Sequence, residues 1–207
     1  MSTDATNGKE HAASLPDLGF LEQFTEMKLL ERRQIFLSEA VTAKSAKKVI
    51  SDLLALEADK AGAPITFFVN SPGGEVNSGF AIFDTIRFIT SPVTIVTTGL
   101  CASIATVINV AVPKKQRVSM PNSRFLIHQP LIPGQVYGQA SDLEITAREI
   151  LKTREKINRL LSAETGTAIE KVEKDTIRDY WMTAPEAIEY GLISRVVESM
   201  KDLTNAK

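Results

Sequence analysis

The chain has 207 residues, an apolar fraction of 43%, a charged fraction of 24% and a formal net charge of −1. That length and composition suit one globular domain with a good-sized core, and the even charge balance argues against nucleic acid or an anionic membrane as a partner. A single cysteine, Cys101, excludes an intrachain disulfide and fits a reducing, cytoplasmic setting.

Residues 1–16 are polar and aperiodic and read as a mobile tail, without the apolar stretch of a secretory signal. Residues 17–199 read as one domain and 200–207 as a C-terminal tail. An amphipathic helix is predicted at 21–30 and a short strand at 34–37. Residues 42–60 carry apolar residues at 46, 49, 50, 53, 54 and 56, the stripe of a surface helix. A strand at 65–70 closes on Ser71-Pro72-Gly73-Gly74, a turn that needs unusual backbone angles. Asn77 or Ser78 is the expected cap of a helix running to about residue 89.

Between Arg87 and Lys114 no formal charge occurs, which approaches membrane-span length. The stretch contains Pro92, Gly99 and Asn109, and it splits into a β-rich half (93–98) and a small-residue helical half (102–112). A buried strand–turn–helix explains it better than a span. Further strands are expected at 117–120 and 125–128. Ser141-Asp142-Leu143-Glu144 is a capping-box pattern opening a long helix to about residue 165, with an apolar seam at 143, 147, 150, 157 and 161 and Gly166 as its stop. Thr183-Ala184-Pro185-Glu186 is a second such box, for a helix ending at Gly191, and residues 193–197 form a last strand. The alternation of strands and helices predicts an α/β fold with helices packed on a sheet.

Only two histidines occur. His11 lies in the polar N-terminal stretch, so any histidine chemistry falls to His128, at the end of the apolar run Phe125-Leu126-Ile127-His128-Gln129-Pro130. Upstream, Gly99-Leu100-Cys101-Ala102-Ser103-Ile104-Ala105 reads as a strand turning into a helix with a serine at the bend. A serine there is more often a cap than a nucleophile. Here, however, Gly99, Ala102 and Ala105 leave room for a substrate, and the Ile104 N–H, in the first turn of a helix, lacks an intrahelical partner. Serine needs a base at neutral pH, and histidine suits that task. The 71–74 turn offers a second backbone donor for an oxyanion. A third group must orient His128; Asp142, Asp175 and Asp179 are candidates that spacing does not separate. Cys101 is an alternative nucleophile for the same base, although free cysteines are usually buried.

Taken in order, six motifs closely resemble the ClpP family, the proteolytic subunit of the ATP-dependent Clp protease. They are Asn70-Ser71-Pro72-Gly73-Gly74, Gly99-Leu100-Cys101-Ala102-Ser103, Pro121-Asn122-Ser123-Arg124 with Ile127-His128-Gln129-Pro130, Ala147-Arg148-Glu149-Ile150-Leu151, Asp175-Thr176-Ile177-Arg178-Asp179, and Ala184-Pro185-Glu186-Ala187-Ile188-Glu189-Tyr190-Gly191-Leu192. The resemblance runs from about Leu29 to Val197. It implies a serine endopeptidase with a crotonase-like α/β fold, in which the long helix from Ser141 and the loop before it form a protruding handle. It places the nucleophile on Ser103, the general base on His128, the orienting aspartate on Asp179 and the oxyanion donors on the N–H groups of Gly74 and Ile104. It further implies stacked heptameric rings, an AAA+ ATPase partner that spends the ATP and delivers unfolded chains, and no cofactor or metal in this subunit.

Three departures from the family pattern stand out. Ile104-Ala105 follows the serine where Met-Gly is usual, which predicts crowding at the oxyanion turn. The loop at 131–139 is longer by two residues and holds Pro133. Residues before Leu29 lack the family's axial-loop pattern. These features suggest a divergent isoform that needs a second ClpP-type subunit. The rival reading is a weakly active or non-catalytic ring subunit. A crotonase-type acyl-CoA enzyme shares the fold without needing this Ser/His/Asp set.

Overall fold

The computed structural model describes residues 18–131 and 137–204; the expected N-terminal tail at 1–16, the last residues of the chain and most of the lengthened loop lie outside the described residues. Helix α1 (Leu18–Glu31) leads into strand β1 (Gln34–Leu37), α2 (Ala43–Asp59), β2 (Ile65–Ser71) and α3 (Val76–Phe88). Strand β3 (Val93–Ala102) runs directly into α4 (Ile104–Asn109). A 3₁₀ turn (Lys114–Gln116), β4 (Arg117–Ser119) and β5 (Arg124–Ile127) follow. The chain ends with α5 (Ala140–Thr165), α6 (Ile169–Asp175), β6 (Tyr180–Thr183), α7 (Ala184–Tyr190), β7 (Arg195–Val196) and α8 (Met200–Thr204).

The strands form one seven-stranded sheet in the order β1-β2-β3-β4-β7, with β5 also pairing β3 and β6 pairing β5. All pairings are parallel except β5 with β6. Strand β3 is long enough to serve two neighbours on one edge. Its first half pairs β4 at Ile95–Thr97, and its second half pairs β5 at Leu100–Ala102. That fork lifts β5 and β6 to the C-terminal end of β3, where the candidate serine lies. Central strands buried on both faces read as apolar runs, which is why Phe67, Val69, Ile95 and Val96 are all fully buried. The uncharged stretch from residue 87 to 114 is thus a core strand and helix, and no helix among the described residues is long and apolar enough to cross a membrane.

The main core joins the sheet to the buried faces of α2, α3 and α4. A smaller cluster of Phe68, Val96, Val118 and Val197 is covered by Leu203 of α8, so a short packed helix occupies part of the stretch expected as a C-terminal tail. One charged cluster is internal. The Arg117 guanidinium, 1% exposed, donates to the carbonyls of Val112 and Glu164 and to Glu164 Oε2 at 2.6 Å, and Arg87 pairs with the other Glu164 oxygen. Burial pulls the Arg117 pKa down and Glu164 opposes that. The cluster ties the end of α4 to the root of α5, and removing one partner of such a pair typically costs about 3–5 kcal/mol.

Local signals hold where they are self-contained. Thr42 and Ser45 form a reciprocal capping box on α2, and Thr183 and Glu186 form one on α7. Two other caps differ from expectation. Helix α3 is entered at Glu75, without a side-chain cap bond; Ser78 Oγ instead donates to the Glu75 carboxylate. Helix α5 begins one residue before Ser141, with Gln139 at the cap position and no side-chain cap bond. The predicted seam of α5 is buried only at Ile157 and Leu161, while Leu143, Ile145 and Leu151 are exposed. At 1.5 Å per residue this helix is roughly 39 Å long, and only its C-terminal third is embedded.

Candidate active site

The site is assembled by the end of β3. Ser103 is the only residue between that strand and α4, and it holds φ 57° and ψ −127°. A non-glycine residue there stores on the order of 1–3 kcal/mol of strain. The strain is supported on both sides. The Ser103 N–H donates to the Leu126 carbonyl at 2.9 Å, and its own carbonyl accepts from the Thr106 hydroxyl at 2.6 Å. The turn therefore presents the Ser103 hydroxyl outward, where His128 Nε2 lies 2.8 Å from Oγ.

The strand register places the other two groups. The antiparallel ladder of β5 and β6 ends with Ile127 opposite Tyr180, so one step further sets His128 opposite Asp179. His128 Nδ1 stands 3.3 Å from Asp179 Oδ1. The other aspartates lie elsewhere: Asp175 pairs with Lys171 at 2.7 Å, and Asp142 is exposed in the first turn of α5. The His128 side chain is 14% exposed and that of Asp179 62%. At 3.3 Å, with an open carboxylate, this is a close approach and not the 2.7–2.9 Å bond typical of charge-assisted pairs. Cys101 is fully buried, and burial pushes its thiol up to about 12, which leaves it protonated and out of reach as a nucleophile.

The 71–74 turn reaches the serine through an irregularity in the β2–β3 pairing, between Val69 and Ser71. The Asn70 side chain holds it, accepting from the Leu100 N–H at 3.0 Å in space that a side chain at position 99 would fill. Val41 then clamps the turn: its N–H donates to the Gly73 carbonyl, and its carbonyl accepts from Glu75, both at 2.8 Å. Gly74 between them has no donor bond to a turn or loop carbonyl among the described residues, and neither has Ile104.

Gly73, at φ 87°, is packed against the elbow so closely that a β-carbon would stand 2.6 Å from both the Ala102 carbonyl oxygen and Ser103 Cβ, and 3.1 Å from the Ile104 nitrogen. Gly73→Ala is therefore expected to lower kcat/KM by about 100-fold or more through displacement of the two turns. Gly62→Ala is the control. It carries a similar φ of 76° with nothing within 4 Å, so it should cost stability and not turnover. Equal activity in the two variants would show that the turn contributes nothing to the reaction.

Of the crowding expected from Ile104-Ala105, the Ile104 part is directed away from this turn. The Ile104 side chain is buried and occupies the space over Gly79 on α3, where a β-carbon would come within 2.2 Å of Ile104 Cγ1. Beside Ser103 and His128 a small recess is lined by Val76, Thr106, Val107, Ile157 and Leu161, with a free volume of about 10 Å³, room for about one water as it stands. Sequence reasoning missed Asn70 and Gly79 as shapers of the site, and it read Gly99 as room for a substrate where the space is taken by the Asn70 amide. Their partners lie some 25 or more residues away, and only Asn70, at a strand end before a turn, carries a local signal.

The chain has relatives among known proteins. A family model described as Clp protease matches residues 22–200. The ATP-dependent Clp protease proteolytic subunit 1 of Chlamydia muridarum is 47% identical over 183 residues, covering 88% of this chain and 95% of that protein. The ATP-dependent Clp protease proteolytic subunit 2 of Treponema pallidum is 43% identical over 203 residues, 98% of each. A solved ClpP1 mutant from Listeria monocytogenes matches with a TM-score of 0.79 and 38% identity over 86% of this chain and 99% of its own. The α/β fold with its projecting long helix is that of ClpP, and the chain belongs to the Clp protease family.

Proposed function

We propose that the chain is a serine endopeptidase, the proteolytic subunit of an ATP-dependent Clp protease. The observation that carries this reading is the alignment of Ser103 Oγ, His128 Nε2 and Nδ1, and Asp179 Oδ1 at 2.8 and 3.3 Å. Ser103 attacks the peptide carbonyl while His128 takes its proton and returns it to the leaving amine. Water then enters by the same base to release the acyl group, and Asp179 holds the imidazole tautomer and stabilises its cation. The N–H groups of Gly74 and Ile104 receive the oxyanion, each typically worth about 3 kcal/mol. In this reading the chain assembles into stacked heptameric rings in the cytoplasm, an AAA+ ATPase unfolds and delivers substrates, and ATP is spent by that partner, with no cofactor in this subunit.

A second reading concerns the state in which the chain works. The Asp179 side chain is 62% exposed and its contact with His128 is long. In addition, relatives named as subunit 1 and as subunit 2 both match the chain. The open carboxylate favours a peptidase whose triad tightens against a neighbouring subunit, and a second ClpP-type subunit is the neighbour this reading takes. Fluorophosphonate labelling tests both readings, with mass spectrometry locating the adduct. It is run on the chain alone and mixed with a second ClpP-type subunit lacking its own serine. Labelling at Ser103 is expected, slow alone and rising on mixing by up to about 100-fold. Fast labelling alone would mark a self-sufficient peptidase. Absence of labelling in both samples would leave a non-catalytic ring subunit.

A further inference from the structure

Asp179 has His128 as its one side-chain partner among the described residues. A carboxylate so exposed is not oriented by packing, so its position is inherited from the backbone that carries it. That backbone is the four-residue connection between α6 and β6, residues 176–179. Its start is well anchored. Thr176 is buried, caps α6 through its N–H to the Val172 carbonyl, and its hydroxyl lies 3.1 Å from Asn158 Oδ1 on α5. Its far end is the β5–β6 ladder at Tyr180. Between these points the Ile177 N–H reaches back to the Lys174 carbonyl at 3.4 Å, and the restraint from outside the segment comes from Gln129. Its N–H donates to the Thr176 carbonyl at 2.7 Å and its side-chain Nε2 to the Ile177 carbonyl at 3.0 Å. A carbonyl accepts only, so the partner fixes which end of the amide faces it.

We propose that Gln129 is a positioning residue for the triad: by holding the connection that carries Asp179, it sets where that carboxylate stands relative to His128. The placement is economical in a physical sense. Gln129 follows the base directly in the chain, so one residue is covalently joined to His128 and hydrogen-bonded to the segment bearing its partner. Pro130 restricts the backbone of Gln129 to extended conformations, which presets the direction of both donors. The side-chain bond to Ile177 is the last tertiary tie before Asp179, two residues upstream. Without it, the exposed pair Ile177-Arg178 is free to swing, and the long 3.3 Å contact is the first thing lost.

This inference rests on the proposed triad, and a double-mutant cycle separates the two. Gln129→Met keeps the backbone bond to Thr176 and the side-chain length but removes the donor to Ile177; Gln129→Glu does the same with an acceptor facing the carbonyl. Each is made in the wild-type and Asp179→Asn backgrounds, in the assembled peptidase. Fluorophosphonate labelling at Ser103 is followed by mass spectrometry, and thermal melting checks the fold. Both Gln129 substitutions are expected to slow labelling about tenfold in the wild-type background, as small displacements at a catalytic group do. In the Asp179→Asn background the further loss should be less than about twofold, because coupled residues are not additive. An undiminished loss in that background, or no loss in the wild type, overturns the role of Gln129 while leaving the triad standing. Wild-type labelling by Asp179→Asn itself would instead remove the triad reading, and the role of Gln129 with it.

Discussion

Ser103→Ala is expected to abolish peptide hydrolysis, by on the order of 10⁶-fold in kcat as for other triad nucleophiles, while the protein folds and assembles as before. The hydroxyl touches His128 Nε2 and stabilises little else. The hydrogen bonds that hold the strained turn, from the Ser103 N–H to Leu126 and from Thr106 to the Ser103 carbonyl, are made by the backbone and survive the substitution. Stability should therefore move by no more than about 1 kcal/mol. Turnover of a fluorogenic peptide, thermal melting and sedimentation measure the three parts of this expectation. Residual turnover near the wild-type rate, in a preparation free of other peptidases, would sink the assignment of the nucleophile. Cys101 is a poor replacement on physical grounds, since its thiol is buried and protonated far above neutral pH.

What was legible in the amino-acid sequence follows from how local each signal is. The capping boxes at Thr42 and Thr183 and the helix stops at Gly166 and Gly191 are written within a few residues, and the structure has each of them. The strand–serine–helix bend is likewise contiguous, so the elbow at Ser103 could be read directly. Helix α6 and strand β6 are seven and four residues long, too short for periodicity to register, and α6 has no side-chain cap to mark its start, whereas the equally short α7 is announced by its capping box. The entry to α3 is set by Val41, some 35 residues upstream in the chain, and that tertiary clamp overrode the capping preference of Asn77 and Ser78. Arg117 read as the charged start of a strand; its burial depends on Glu164 on a different element. The choice among the aspartates was the least legible part of the site. Asp175 and Asp179 differ by one helical turn in sequence, and only the β5–β6 register brings one of them opposite His128.

That choice yields the second large effect. Asp179→Asn should lower kcat by about 10³- to 10⁴-fold, whereas Asp175→Asn should lower it less than about tenfold. An amide at position 179 would donate to His128 Nδ1, and the ring would then present N–H instead of a lone pair to the serine, the wrong tautomer for a base. The lower end of the range allows for the open environment of Asp179, in which water also stabilises the imidazolium. Asp175 has a different occupation. Its carboxylate pairs with Lys171 at 2.7 Å, and the ammonium lies 5.2 Å from the centres of the Tyr180 and Tyr190 rings. Hydrogen bonding to Asp175 is the first cause raising the Lys171 pKa, but Lys171 is half-exposed. The Asp175 side chain is only 10% exposed, so loss of the pair should cost about 1–3 kcal/mol of stability, seen as a lower melting temperature with nearly normal turnover. Comparable losses of activity at the two positions, with folding preserved in both, would mean that the β5–β6 register does not choose the third member of the triad. A carboxylate supplied from another subunit would then be the place to look.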